Sequence, residues 1–258
     1  WLPKPMQITN QSCIDSARRY GINLYINANV NSLDAIRKYD TVACVKGWYG
    51  FDEASNEIKA YTSVNYVETH QISTKPVLVS MNNFLRLSDP VCDILVVDPY
   101  VDPNVSYRQV ALATSEGRKT GKPVITILNN YSEGSDVRLP TYERLRCQVF
   151  LALVNGAFDV GFFSGDCRTY DAVTKTLKGW TVTEDADRWT WTKMLMAEIA
   201  KYKGSTFRSV PTGVKGVYAC YRGDTFIVVN ADPVERVVVV EGRTVGVIGY
   251  GVDRKSVV

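Results

Sequence analysis

Two adjacent carboxylates end an apolar stretch in the first quarter of the sequence. Residues 47–55 read GWYGFDEAS, so Asp52 and Glu53 follow aromatic and glycine residues that are typical of a buried strand. Carboxyl groups in a cleft can act as general acid and general base. The same pair can instead cap the next helix, because acidic side chains stabilise a helix N-terminus. The residues alone leave both roles open.

The histidine and cysteine content limits the kinds of catalytic and metal site that the chain can form. His70 is the only histidine, so a Ser-His-Asp or Cys-His apparatus depends on it, and a site with several His ligands is excluded. His70 follows the polar helical stretch NYVET, and we expect it to be solvated at the surface. The six cysteines are far apart with no Cys-x-x-Cys pair, which does not support a zinc site. Acid–base chemistry is therefore expected from carboxylates, with no metal or organic cofactor.

Composition excludes some partners. The net charge of +3 is spread along the 258 residues with no Lys/Arg block, so a nucleic acid partner is not expected. No run approaches the roughly 18 apolar residues of a membrane helix, so no membrane span is expected. The first eleven residues, WLPKPMQITNQ, lack the pattern of a signal peptide.

The elements that must position these residues alternate through the first 205 residues. Short apolar runs predict six strands, and the amphipathic stretches between them predict helices, as in βα units. The run ILVV is apolar at every position and the run VITIL at all but Thr126, which indicates a parallel sheet covered on both faces. Such units form either a doubly wound sheet or a closed barrel. The glycine-rich first turn of a nucleotide-binding sheet is missing.

Polar residues beyond several strand ends favour the barrel, because a (β/α)8 barrel collects its chemistry at the carboxyl ends of its strands. These residues are Asn27, Asn29, Asp52, Glu53, Asn82, Asn83, Asp98, Asn129, Asn130, Ser164 and Asp166.

The pattern changes near residue 214, after a helix predicted over 189–202. Four β-like segments separated by turns then predict a small antiparallel module. We therefore expect an α/β chain with a partial TIM (β/α)8 barrel over 1–205 and a C-terminal β-sandwich-like domain over 206–258. A full barrel takes about 250 residues, so two βα units are missing. They are expected to come first, from a preceding segment or from another chain that completes the barrel.

The ordered segments resemble the (β/α)8-barrel glycoside hydrolases and glycosidase-like proteins. GWYGFDEAS is similar to their fourth-strand ending, DILVVDPY to the sixth strand and GKPVITILNNY to the seventh. RLPTYERLRCQVFLALVNGAFDVGFFS resembles their last helix and eighth strand, and FIVVNADPVERVVVVEGRTVGVIGYGV their C-terminal β-sandwich. The resemblance covers strands three to eight and the β module.

The resemblance implies catalytic roles by position. Glu53 matches the general acid/base of the retaining glycosidases, and Asp52 beside it would orient or tune Glu53. Retaining relatives carry a nucleophilic Glu at the end of strand seven, where this chain reads LNNY. Asp98 and Glu133 are the candidates for a second carboxylate, and inverting chemistry, with carboxyl groups roughly 6.5–9.5 Å apart, accommodates them more easily than retaining chemistry. Asp98 is equally a turn residue before Pro99, and Glu133 a loop residue.

Aromatic and amide side chains near strand ends complete the expected site. Sugar rings stack on exposed aromatic faces, although aromatic residues also fill barrel cores. The candidates for substrate binding are Trp48, Tyr49, Asn82, Tyr100, Asn129, Tyr131 and Phe163.

We therefore expect a glycoside hydrolase-like protein that acts on an oligo- or polysaccharide by carboxylate acid/base catalysis. The alternative is a non-catalytic barrel that binds carbohydrate or forms a structural component of a surface or virion assembly. An extracellular or surface-associated location is expected for both.

Overall fold

Six parallel strands alternate with helices through the first part of the chain. The computed structural model describes residues 11–28, 32–82, 89–99, 107–130, 140–163, 169–171, 176–178 and 186–256. The strands are β1 (Leu24–Asn27), β2 (Val45–Phe51), β3 (Val77–Met81), β4 (Ile94–Val97), β5 (Val124–Asn129) and β6 (Asp159–Phe163). The helices are α1 (Gln11–Tyr20), α2 (Ser32–Tyr39), α3 (Lys59–His70), α4 (Arg108–Arg118), α5 (Tyr142–Val154) and α6 (Ala186–Ala200).

The order of the strands decides between the two topologies that the sequence allows. The strands lie in the sheet in their order along the chain, from β1 to β6. A doubly wound sheet reverses its order at a switch point, whereas a barrel adds each strand beside the previous one. The six βα units therefore form part of a (β/α)8 barrel, which confirms the expected fold class.

The chain forms two compact units. The first comprises Trp1–Pro99, Ala113–Ile127 and Phe158–Gly161, and the second comprises Tyr100–Leu112, Leu128–Ala157 and Phe162–Val258. The boundary expected between residues 205 and 206 stays a prediction. None of the helices in the described part of the chain has the length and apolar composition that crossing a membrane requires.

The first unit has a core on each face of its sheet. On one face, α1 and α2 cover β1 to β3, and Trp48 lies among their apolar side chains. On the other face, Tyr49 packs with Leu78, Val96 and Ile125. Trp48 and Tyr49 separate in this way because successive side chains of a strand point to opposite faces.

The second unit combines α5 and α6 with antiparallel sheets. Its four-stranded sheet has the order β14 (Val252–Ser256), β11 (Thr225–Asn230), β10 (Val217–Arg222) and β9 (Phe207–Val210). Two ribbons pair β12 (Arg236–Val240) with β13 (Arg243–Val247) and β7 (Thr169–Asp171) with β8 (Thr176–Lys178).

Helix α5 is the buried helix of this unit. The Thr141 side chain caps its N-terminus by accepting from the N–H of Arg144 at 3.4 Å. At its C-terminus, the buried guanidinium of Arg222 donates to the carbonyls of Leu153 (2.7 Å) and Ala157 (2.8 Å). The arginine thus satisfies carbonyl groups that a helix end leaves without intrahelical partners.

The structure differs from the sequence-based elements in the antiparallel part. Helix α6 begins at Ala186, three residues earlier than expected. The segment 243–252 was expected as one final strand, but its strand β13 ends at Val247, and a turn from Gly249 to Gly251 leads into a further strand, β14. Strands β7, β8 and β9 were not predicted; they have three or four residues each, too short to show a clear alternation.

Candidate functional site

Strand β2 has an irregular register just before the acidic pair. Tyr49 lies opposite Leu78 of β3 and Phe51 lies opposite Val79, so β2 places one extra residue, Gly50, in this interval. A Cβ at Gly50 would lie 2.9 Å from the Val77 Cγ1, closer than van der Waals contact allows. Glycine is therefore required at this irregularity, which redirects the residues that follow it.

Glu53 has a left-handed backbone at the end of this strand. Its φ is +50°, and its side chain is exposed. This conformation costs a residue with a Cβ roughly 1–2 kcal/mol. The next residue holds it in place, since Ala54 is buried and its N–H donates to the Ser80 carbonyl at 2.8 Å. The chain thus presents a carboxylate on a strained, anchored turn.

Asp52 is oriented by a buried phenol. The Tyr49 hydroxyl donates to Asp52 Oδ1 at 2.8 Å and also bonds with the Ser80 side chain. Burial, followed by the negative charge of Asp52, raises the pKa of Tyr49 far above its usual value, and Asp98 raises it further. The phenol therefore stays protonated and remains a donor to Asp52 across the physiological pH range.

Asp98 lies at the end of β4, in the same unit. Its side chain is buried, and its N–H donates to the Met81 carbonyl at 3.2 Å. Its charge acts on the Tyr49 phenol, as does that of Asp52. The structure thus joins Tyr49 to Asp52, with Ser80 as a neighbour that the sequence did not single out, and it places Asp98 after β4 at the same edge of the sheet. Asn82 is exposed just after β3.

Trp48, a candidate for substrate binding, lies in the core of the first unit. It is 0% exposed, and its indole Nε1 donates to the Ser73 hydroxyl at 2.8 Å. Its ring lies in the core shared with α1 and α2, so it has no face for a ligand. In this structure, Trp48 fills the core.

The remaining expected residues belong to the second unit or lie outside the described residues. Asn129 and Phe163 are half-buried, at the ends of β5 and β6. The N–H of Asn130 donates to the Phe163 carbonyl at 2.6 Å. The expected residues outside the described part of the chain are Tyr100, Tyr131 and Glu133.

A buried arginine meets the end of β5. Arg188 is 4% exposed, and its guanidinium donates to the Asn130 Oδ1 at 2.9 Å and to the Pro140 carbonyl at 3.1 Å. The contact joins residues 58 positions apart, so sequence spacing gave no indication of it. The side chain of Asn130 is thus fixed directly after the end of β5.

The expectation that His70 is solvated is wrong. Its ring is half-buried, with Nε2 2.9 Å from Asp93 Oδ2 and Nδ1 3.2 Å from the Ser73 carbonyl. Tyr66 also donates to Asp93 (2.9 Å), as does the N–H of Val77 (2.7 Å). Burial disfavours the charged carboxylate, but these hydrogen bonds outweigh it and lower the pKa of Asp93. The group lies where β3 and β4 begin, the end of a barrel sheet associated with stability.

No cluster of three or more His, Cys, Asp or Glu side chains in the described part of the chain could hold a metal ion. The side chains at this edge of the sheet that can donate or accept a proton include Tyr49, Asp52, Glu53 and Asp98.

Comparisons with known proteins place the fold. No protein-family model and no curated protein matches the chain. Among solved structures, it is similar to a glycoside hydrolase family 5 protein from Bacteroides vulgatus ATCC 8482, with a TM-score of 0.55 and 12% identity over 94% of this chain and 68% of that chain. It is also similar to the endo-beta-1,4-mannanase from Thermotoga petrophila, with a TM-score of 0.54 and 12% identity over 98% and 78% of the two chains.

A third similar structure is AmyP in complex with maltose, with a TM-score of 0.52 and 8% identity over 94% of this chain and 76% of that chain. At these identities the likeness concerns the fold. The resemblance to the (β/α)8-barrel glycoside hydrolases is thereby confirmed at the level of fold, and fold alone does not determine an activity.

Proposed function

We propose that this protein acts on an oligo- or polysaccharide at the carboxyl end of β2, with Glu53 as the general acid/base of a glycoside hydrolase-like reaction. The main support is the exposed Glu53 carboxylate on a left-handed residue directly after Asp52, which accepts a hydrogen bond from the buried Tyr49. Strained residues persist only where their surroundings hold them, and they cluster at functional sites. A turn that served only to join β2 to α3 would favour glycine at this position.

The roles follow from the placement of each carboxylate. Glu53 is exposed, so it can approach a glycosidic oxygen and donate a proton to the leaving group. Asp52 accepts from Tyr49 and helps to fix the turn that carries Glu53. Asp98 is the proposed second carboxylate, because it follows β4 in the same parallel sheet, and the carboxyl ends of β2 and β4 lie at the same edge of that sheet. A base that activates water fits an inverting reaction, in which the two carboxyl groups stand roughly 6.5–9.5 Å apart.

One observation supports a non-catalytic alternative. The end of β5 carries Asn129 and Asn130, and the Asn130 side chain is bound by Arg188 (2.9 Å). A carboxamide cannot form the covalent glycosyl intermediate of a retaining enzyme. In this alternative the protein binds carbohydrate, or serves as a structural component of a surface or virion assembly, without cleaving it. For both functions we propose an extracellular or surface-associated location.

Hydrolysis of a glycan panel by matched variants tests the proposal. Glu53→Gln removes the proton donor and keeps the shape of the side chain, and we expect turnover to fall by roughly 10²–10⁴-fold. Glu57→Gln is the control, because Glu57 is an exposed glutamate only four residues away. Equal turnover by wild type and Glu53→Gln would exclude Glu53 from this role. Glycan binding without turnover by the wild type would favour the non-catalytic alternative.

A further inference from the structure

A cleft in the second unit lies between two helices and a turn. Its volume is about 610 Å³, within the range of roughly 300–1,000 Å³ found for small-molecule sites. Helices α5 and α6 form two walls, and the turn between β13 and β14 forms the third. The lining includes Tyr142, Arg146, Met194, Ala197, Glu198 and Tyr250.

The turn is built to hold Tyr250 in this wall. Tyr250 has a left-handed backbone with φ of +53°, which is uncommon for an aromatic residue. A Cβ on Gly249 would collide with the Pro233 carbonyl, and one on Gly251 would collide with Ile248. The N–H of Tyr250 donates to the Asp232 carbonyl at 2.8 Å, which fixes the turn further.

Tyr250 is also held through its ring. The ring meets Tyr107 edge-on, with centroids 5.1 Å apart, and the Arg144 guanidinium lies 5.3 Å from its centroid. A strained aromatic residue on a pinned turn beside a cleft has the character of a preorganised binding residue.

The polar side of the cleft contains a largely buried ion pair. Arg146 donates to Glu198 through Nε at 3.0 Å and Nη2 at 2.8 Å, and the two side chains are 19% and 11% exposed. Glu143 and Lys201 are the other charged residues among the described lining. The lining therefore has two positive and two negative side chains, so an anionic ligand would meet two carboxylates and a cationic one would meet two cations.

The apolar side of the cleft is exposed to solvent. Met194 is 50% exposed and Ile248 is 66% exposed, and both line the cleft. Apolar side chains and tyrosine rings contact the C–H faces of a sugar, while planar charged groups bond with its hydroxyls. A neutral molecule with both kinds of surface matches this lining better than a charged or purely apolar one.

We propose that this cleft is a second ligand site, one that binds a short neutral oligosaccharide. It is formed by residues other than those proposed for catalysis, and it binds whether or not Glu53 has a catalytic role. Binding at this site retains a glycan on the protein without any chemical step.

Titration of the full chain with neutral trisaccharides tests this site. The probes are maltotriose, cellotriose and mannotriose, with trigalacturonate as the anionic comparison, followed by calorimetry and by NMR of ¹³C-methyl-labelled methionines. We expect saturable movement of the Met194 methyl signal with at least one neutral probe. The signal of Met196, on the same helix but outside the cleft lining, should remain in place.

Two alanines on α6 offer matched blocking variants. Ala197 lines the cleft and Ala200 does not, and both are exposed, so tryptophan is tolerated at both positions. Ala197→Trp should weaken binding about tenfold or more, because the bulky ring would occupy space inside the cleft, and Ala200→Trp should leave it unchanged. Glu53→Gln should leave the Met194 response unchanged. The test of this cleft is therefore independent of whether Glu53 is catalytic.

Three outcomes would overturn the proposal. The first is that no neutral trisaccharide moves the Met194 signal. The second is equal affinity of the wild type and Ala197→Trp. The third is stronger binding of trigalacturonate than of every neutral probe at this signal.

Discussion

The hydroxyl of Tyr49 donates to Asp52 at 2.8 Å across the irregularity in β2. The donor is buried in the sheet and the acceptor is exposed, so the bond ties the acidic turn to the core. The ring of Tyr49 packs with Leu78 and Val96, which fixes the direction of its hydroxyl. The position of the acidic pair thus depends on a residue whose ring is a core component.

Tyr49→Phe should separate the packing of the ring from the hydrogen bond that its hydroxyl donates to Asp52. The ring and its packing are kept, but the hydroxyl is lost, and the buried Ser80 hydroxyl loses a partner. We expect the free energy of unfolding to fall by about 1–2 kcal/mol, measured by urea denaturation. We also expect glycan turnover to fall, because Asp52 is no longer oriented. Tyr61→Phe, at an exposed tyrosine of α3, should change neither quantity.

Glu53→Gly should stabilise the protein while it removes the proposed activity. Glycine adopts φ of +50° without the roughly 1–2 kcal/mol cost to a residue with a Cβ. After allowance for the greater freedom of glycine in the unfolded chain, a gain of about 0.5–1 kcal/mol is expected in urea denaturation. Glu57→Gly lacks this relief because Glu57 is not among the positive-φ residues, and it should be neutral or destabilising. A loss of stability in Glu53→Gly would contradict the interpretation of strain.

Much of the fold could be predicted because buried strands and helix faces require apolar residues at regular positions in the sequence. The apolar runs of β4 and β5 indicated a parallel sheet covered on both faces, and the helices between the strands were found in the correct order. Where a strand is buried on both faces, however, the sequence does not show to which face of the sheet each side chain points. In β2, residues 47–50 are all buried, so no alternation shows that Trp48 lies against the helices and Tyr49 on the other face.

The geometry of the candidate site depends on contacts between distant segments. The glycine at position 50 is required by Val77 on the neighbouring strand, and the backbone of Glu53 is held through Ala54 by Ser80. His70 meets Asp93, which lies 23 residues further along the chain. Local patterns contain none of these pairings, so the sequence predicted acidic residues at a strand end but not their strain or their partners.

Asp93 should make stability depend on pH in acid. Its pKa is lower in the folded state than its ordinary value of 3.8, because hydrogen bonds to the carboxylate outweigh the effect of burial. A carboxyl group with a lowered pKa contributes stability above the unfolded-state value, and this contribution is lost as pH falls through the folded-state value. The difference in unfolding free energy between wild type and Asp93→Asn should therefore be full near neutral pH and shrink below about pH 4.

The control for this pH series is Asp34→Asn. Asp34 forms an exposed pair with Arg37, and its side chain is 85% exposed, so its contribution should be small at every pH. Urea denaturation at several pH values measures both variants. A difference for Asp93→Asn that stays constant from neutral pH to pH 3 would show that the charge of this carboxylate is not the source of its effect.

Substitutions of Trp48 should show whether its ring only packs in the core or also contacts a sugar. Because it is fully buried and bonded to Ser73, Trp48→Ala should lower the free energy of unfolding by about 3–5 kcal/mol. Trp48→Phe keeps most of the apolar volume but loses the indole N–H, and it should cost less while leaving a folded protein. If the ring only fills the core, Trp48→Phe has the glycan affinity of the wild type in calorimetry despite its lower stability. A loss of affinity greater than about tenfold, in a protein with unchanged circular dichroism, would instead assign the ring a direct part in sugar binding.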